Sequence, residues 1–94
     1  MIFMADVIIT IRVMPESPET DIAVLEGGLS KIISEYSGKN ISFKKEPFAF
    51  GLISLVVNFI VNEDKGSTDD MEEALSKVKG VESVSVIGVT RAFG

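Results

Sequence analysis

The stretch Phe50-Gly51-Leu52-Ile53-Ser54-Leu55-Val56-Val57-Asn58-Phe59-Ile60-Val61-Asn62 is apolar at almost every position. Ile53, Leu55, Val57, Phe59 and Val61 fall on one parity and Leu52, Val56 and Ile60 on the other. Neither side is left polar, which is the pattern of a strand at the centre of a sheet. The longest apolar-rich stretch, Phe48 to Val61, is interrupted by Ser54 and Asn58 and falls short of the roughly 18 residues that a membrane helix needs.

Just upstream, in Asn40 to Phe48, Ile41 and Phe43 alternate with Ser42 and Lys44, and Lys45, Glu46 and Pro47 follow. Lysines and a proline discourage pairing with another chain, so this segment reads as an edge strand. From Ala5 to Val13 the odd positions are all apolar while Asp6, Thr10 and Arg12 sit among the even ones, the period of a third strand. Between these strands, Ile22, Leu25, Leu29, Ile32, Ile33 and Tyr36 recur at spacings of three and four. That spacing predicts a helix over Pro18 to Tyr36, with Ser17 as its N-cap, Pro18 at the first helical position and Ser37-Gly38 at its end. Gly27-Gly28 lies in mid-helix, where each glycine costs on the order of 1 kcal/mol against alanine, and is read as a point of close packing.

Downstream, Asn62 to Gly66 is a polar turn. Ser67 with Asp70 three residues later fits a capping box before Met71, Ala74, Leu75 and Val78, predicting a second helix over Thr68 to Lys79 with Gly80 as its C-terminal cap. Val81 to Val89 returns to β-branched residues, with Val84 and Val86 facing one way, and the last strand ends near Arg91. The order is therefore strand, helix, strand, strand, helix, strand, and the first and third strands are the most apolar. These features specify an α+β fold, a ferredoxin-like βαββαβ sandwich in a single domain over residues 1–94. Its four-stranded antiparallel sheet has the order 4-1-3-2, with two helices on one face.

Composition narrows the chemistry. The 94 residues include no cysteine and no histidine, which removes thiolate nucleophiles, disulfides, thiol or imidazole metal ligands and the Ser-His-Asp triad. Fourteen acidic against nine basic residues give a net charge of −5, the wrong sign for binding nucleic acid through its phosphates. Glu63, Asp64, Asp69 and Asp70 have no EF-hand spacing and read as a turn and a first helical turn, so no metal site is expected. Glu46 stands without a second acid, and Ser30, Ser34 and Ser54 have no base beside them in the sequence. Met1-Ile2-Phe3-Met4 has no basic region before an apolar run, so no secretory signal is expected and the location expected is cytoplasmic.

The topology separates two unusual loci. Pro47-Phe48-Ala49-Phe50-Gly51 falls at one end of the sheet and Thr90-Arg91 at the other, roughly 20 to 24 Å away at about 3.4 Å per residue. That is too far for one small-molecule site but within reach of a protein surface. Aromatics flanking a turn commonly belong to a small satellite core, and a basic residue near a chain end is commonly solvated.

Three segments together change that reading. Phe48-Ala49-Phe50-Gly51-Leu52 leads into Ser54-Leu55-Val56-Val57. Val61-Asn62-Glu63-Asp64-Lys65-Gly66-Ser67-Thr68-Asp69-Asp70 precedes a Glu-rich short helix. The ending runs Val81-Glu82-Ser83-Val84-Ser85-Val86-Ile87-Gly88-Val89-Thr90-Arg91. The combination resembles the catalytic domain of the translation elongation factor 1-beta family in its compact archaeal form, over essentially the whole chain from Ala5.

The resemblance implies a guanine-nucleotide exchange factor for elongation factor 1-alpha that makes and breaks no covalent bond and needs no cofactor of its own. It implies that a basic residue near the C-terminus is pushed toward the magnesium and phosphate region of the GTPase, and that an aromatic residue before the third strand also contacts the GTPase. The matching positions are Arg91 and Phe50, with Phe48, Gly51 and Thr90 beside them in the expected partner-binding surface. Eukaryotic members carry a lysine next to the last residue, whereas here Arg91 is followed by Ala92, Phe93 and Gly94; arginine keeps the charge but presents a planar fork. A monomer is expected, with neither nucleic acid nor membrane as a direct partner.

Two other readings fit the fold. An ACT-like regulatory module would need a glycine-containing loop after the first strand and a self-pairing edge, but Met14-Pro15-Glu16-Ser17 has no glycine, and Lys44, Lys45 and Pro47 guard the second strand. An RNA-binding sheet would need an aromatic platform, and the exposed parity of the first strand is Asp6, Ile8, Thr10 and Arg12.

Overall fold

The computed structural model describes residues 6–62 and 69–92. Strand β1 (Asp6–Pro15) is followed by helix α1 (Ile22–Glu35), strands β2 (Lys39–Pro47) and β3 (Ile53–Asn62), helix α2 (Asp69–Ser76) and strand β4 (Val81–Ala92). All pairings are antiparallel, and the order β2-β3-β1-β4 is the expected 4-1-3-2 read from the other edge. The expected start at Ala5, the Glu63-Asp64 turn and the Ser67 cap lie outside the described residues.

The alternation in β1 sorts its side chains by face. Val7, Ile9, Ile11 and Val13 are buried under the helices, and their partners on β3, Val61, Phe59, Val57 and Leu55, are buried with them. Leu25, Leu29 and Ile33 of α1 and Met71 and Leu75 of α2 close the core from above. Each such aliphatic side chain contributes about 1.5–3 kcal/mol through burial. Tyr36 departs from the expected helix face: it caps the C-terminus of α1 and is 39% exposed.

The start of α1 is also displaced from its predicted position. Asp21 is the N-cap, its side chain accepting from the N–H groups of Ala23 and Val24 at 3.0 and 3.4 Å. Ser17 to Thr20 instead form a tight turn in which Thr20 N–H donates to Ser17 O at 3.2 Å. A proline with φ near −65° suits the second position of such a turn as well as the first position of a helix, so Pro18 fits both readings. Gly80 is likewise not the residue that ends α2. It takes φ +96° in the turn into β4, and its carbonyl accepts from Glu16 N–H at 2.9 Å.

The glycine pair in α1 divides. A Cβ on Gly28 would meet Val78 Cγ1 at 2.9 Å, so this residue is where α1 approaches the segment after α2. Gly27 faces open space.

Among the described residues no helix covers the second face of the sheet, yet Ser54 and Val56 are buried there. Arg12 on β1 lies opposite Val56 on β3, and Val56 lies opposite Lys44 on β2. The Arg12 Nη2 to Glu46 Oε1 contact, at 3.3 Å, therefore crosses the whole of β3 and carries the arginine stem over Val56. Lys44 Nζ completes the cluster at 3.8 Å from Glu46 Oε2. Beside it, Thr10 Oγ1 donates to Asn58 Oδ1 at 2.6 Å, and Ser54 Oγ donates to Glu46 O at 3.3 Å.

Strand β4 is irregular. Val86 pairs with Ile11 and Gly88 with Thr10, which leaves Ile87 as one residue more than the ladder uses, a β-bulge. The simple alternation expected for this strand therefore breaks after Val86, and a second register shift, between Met14 and Pro15, leaves Glu82 opposite no residue of β1. Val84 and Val86 share the helix-side parity before the bulge, and Val89, opposite Ile9, shares it after.

Candidate functional site

The turn between β2 and β3 is built by its backbone. Phe48 N–H donates to Leu52 O at 2.7 Å and Leu52 N–H to Ala49 O at 3.2 Å, closing a three-residue loop, Ala49-Phe50-Gly51, as a single 3₁₀ turn. Gly51 has φ +76°, the left-handed conformation that the last position of a three-residue hairpin loop demands. The loop thus places Phe50 at the tip of the hairpin. Phe48, just before the tip, is 49% exposed and Ile53, just after it, 41%.

At the other locus the ladder runs to the end of the described chain. Thr90 lies opposite Ile8, Arg91 opposite Val7 and Ala92 opposite Asp6. Because the bulge takes up Ile87, Arg91 sits one register step away from Asp6, with valine and not a carboxylate directly across from it.

The five expected site residues form two groups that the structure does not bring together. Phe48, Phe50 and Gly51 are at the hairpin, and Thr90 and Arg91 are at the far end of the opposite edge. Ile53 pairs with Pro47 two positions beyond the Leu55–Val13 pair, so the hairpin is level with residue 15 of β1, while Arg91 is level with residue 7. Eight steps along a strand make roughly 27 Å, somewhat more than the spacing expected from the sequence, because β1 continues to Pro15 and not only to the expected Val13, whereas β3 begins at Ile53 and not at the expected Phe50.

The structure adds one apolar group that residue-by-residue reading missed. Val86, Ile87 and Val89 are exposed on β4, the last at 61%, and they lead directly to Thr90. The signal was present in the sequence: from Val84 onward, β-branched residues occur on both parities, although no second layer was available to cover an edge strand. Both loci therefore stand beside exposed apolar side chains, Phe48 with Ile53 at one and the β4 valines at the other.

Among the described residues, no three acidic side chains come together as a metal-ion site. Asp69 and Asp70 occupy the first turn of α2, while Glu63 and Asp64 lie outside the described residues. No helix among the described residues is long and apolar enough to cross a membrane.

Comparison with known proteins gives a consistent result across the chain. The family model described as EF-1 guanine nucleotide exchange domain matches residues 8–92. Elongation factor 1-beta of Methanosarcina acetivorans is 43% identical over 88 residues, covering 94% of this chain and 99% of that protein. Elongation factor 1-beta of Methanocella arvoryzae is 42% identical over 90 residues, covering 96% and 100%. Among solved structures, the ACT domain from the GTP pyrophosphokinase of Chlorobium tepidum superposes with a TM-score of 0.56, at 23% identity, over 87% of this chain and 99% of that one. That likeness concerns the fold alone.

Proposed function

The chain belongs to the EF-1 guanine nucleotide exchange domain family, and from that premise we propose that it binds elongation factor 1-alpha and accelerates release of GDP from it. The observation that carries the reading is the family match, whose span, residues 8–92, takes in both loci, the hairpin and Thr90-Arg91. The exposed apolar side chains beside each locus support it, since such groups on a small domain mark contact with another protein.

In this reading the whole of residues 1–94 is one exchange domain. Phe50, with Phe48 and Gly51, engages one part of the GTPase. Arg91, with Thr90, approaches the region where the GTPase holds Mg²⁺ and the nucleotide phosphates. The thermodynamics is linkage: a protein that binds the nucleotide-free GTPase more tightly than its GDP form weakens GDP by the same factor. A guanidinium brought near the Mg²⁺ opposes it electrostatically, and Mg²⁺ normally neutralises the phosphates. Loss of about 4 kcal/mol of nucleotide binding loosens the complex about a thousandfold. No covalent bond is made or broken, so the protein acts as an exchange factor and not as an enzyme with its own substrate, and it needs no cofactor. A single copy suffices, working in the cytoplasm without direct contact to nucleic acid or membrane.

The test is release of fluorescent GDP from the cognate elongation factor 1-alpha in excess unlabelled nucleotide. The expected result is a release rate that rises with the concentration of this protein and saturates. Arg91→Ala is expected to lower the saturating rate about tenfold or more, the equivalent of ~1.4 kcal/mol, while leaving the circular dichroism spectrum unchanged. An unchanged rate at saturation refutes the role given to Arg91. No acceleration by the unsubstituted protein, with an active GTPase, refutes the exchange function itself.

A further inference from the structure

The two edges of the sheet are built differently. β2 carries Lys39, Lys44, Lys45 and Pro47 along its length, residues that keep other strands away. β4 is the longest strand, has neither lysine nor proline, and exposes Val86, Ile87 and Val89. Among the described residues, its outer edge has no partner strand in the sheet.

The sequence of β4 is close to a chemical palindrome about the Val86-Ile87 junction. Reading outward, Val86 is matched with Ile87, Ser85 with Gly88, Val84 with Val89, Ser83 with Thr90, Glu82 with Arg91 and Val81 with Ala92. Small pairs with small, hydroxyl with hydroxyl, branched apolar with branched apolar, and the one acidic residue with the one basic residue. The pairs Ser83 with Thr90, Val84 with Val89 and Ser85 with Gly88 lie on the same face of the sheet only because of the bulge; outside them the match of faces ends, since a second register shift leaves Glu82 opposite no residue of β1, and Val81 and Ala92 lie opposite Pro15 and Asp6, on different faces. Val84 and Val89 are five apart and would face opposite ways on a regular strand, but both lie opposite odd-numbered residues of β1, on the helix side. Ser83 and Thr90, and Ser85 and Gly88, all lie opposite even-numbered residues, on the helix-free side.

We infer that β4 pairs antiparallel with β4 of a second copy of this chain, about a two-fold axis through the Val86-Ile87 bulge, joining two four-stranded sheets into one. A bulge ordinarily blunts an edge against regular strands. A partner carrying the same bulge at the same level restores the match of faces, so the irregularity selects a second copy over other chains. The charges act in the same direction, because just beyond the matched faces the pairing brings Glu82 of each copy close to the level of Arg91 of the other, and the parallel arrangement does not. The paired length with matched faces runs from Ser83 to Thr90, roughly 27 Å of strand, and buries less than the ~800 Å² per partner of a standard interface. The dimer is accordingly weak and forms at high protein concentration. If the reading of Thr90 and Arg91 as part of the GTPase-binding surface holds, self-pairing covers that surface, and the dimer is a resting form that dissociates as the GTPase binds.

The experiment is sedimentation equilibrium of the full chain over a concentration series from about 10 μM to about 1 mM. It reads mass and not exchange, so its outcome is independent of the proposed activity. The expected mass rises from one chain toward two. Glu82→Arg and Arg91→Glu are each expected to weaken association about tenfold, and the double variant with both exchanges to return to within about twofold of the unsubstituted chain. Val89→Lys, at a site 61% exposed in the single copy, folds as before and is expected to abolish pairing. A mass of one chain throughout overturns the inference. So does a dimer indifferent to Val89→Lys, or a double variant no better than either single one.

Discussion

Gly51 shows how one residue sets the geometry of a site. Its φ of +76° closes the hairpin, and a Cβ added there meets no atom within 4 Å, so the demand is conformational and not steric. Gly51→Ala is expected to cost about 1–2 kcal/mol, the penalty of an L-residue in the left-handed region, and to lower Tm by about 4–8 °C per kcal/mol. Gly51→Asn is expected to cost less, because asparagine tolerates this conformation. Urea unfolding of the three proteins checks the order, and equal stability of all three refutes it. A phenylalanine-glycine turn was readable from the sequence, but the three-residue length of the loop was not, since it depends on how Pro47 registers with Ile53. Arg12 makes the same point. Its place on the exposed parity of β1 was evident from alternation, whereas its reach over Val56 to Glu46 follows only from the registers of three strands.

At the level of elements, periodicity carried most of the information. The 3.6-residue spacing located α1, and the two-sided apolar run located β3 at the centre of the sheet. The errors were at boundaries where one residue type serves two purposes. Pro18 and Ser17 suit a turn as well as a helix start, and the hydrogen bonds of Asp21 decided between them. The glycine pair of α1 carries a prediction of opposite signs. Gly27→Ala, pointing into open space, is expected to stabilise the protein by about 0.5–1 kcal/mol through helix propensity. Gly28→Ala places a methyl 2.9 Å from Val78 Cγ1, on a β-branched side chain with little freedom to move, and is expected to destabilise despite the same gain in propensity. Thermal unfolding of the two variants measures both, and a stabilised Gly28→Ala means that α1 and the segment after α2 can separate without cost. The bulge in β4 was the element least visible in advance. β-Branched residues on both parities can mean a fully buried strand or a slipped register, and only pairing with β1 distinguishes them.

For the molecule as a whole, the fold was legible because its central strands are its most apolar, while the site was legible only as two separate places. Nothing in spacing or composition joins the hairpin to Thr90-Arg91. They lie about 27 Å apart along the sheet, well beyond the 7–10 Å within which substitutions usually couple. Phe50→Ala and Arg91→Ala are therefore expected to act independently, so that the double variant loses exchange by the product of the single losses, within about twofold. Stopped-flow GDP release on all four proteins tests this. A double variant no worse than Arg91→Ala means that both loci serve one step. The bulge also governs how the chain can change in length. Loss of any one residue from Ile87 to Thr90 can be absorbed by straightening β4, leaving Arg91 level with Val7. Even Gly88 leaves room for this, since a Cβ there meets Thr10 at an ordinary 3.5 Å. A gained residue finds no such slack, because the strand already carries its surplus. Variation in this segment should thus favour shortening over lengthening, with the spare residue acting as a reserve that can be drawn on once.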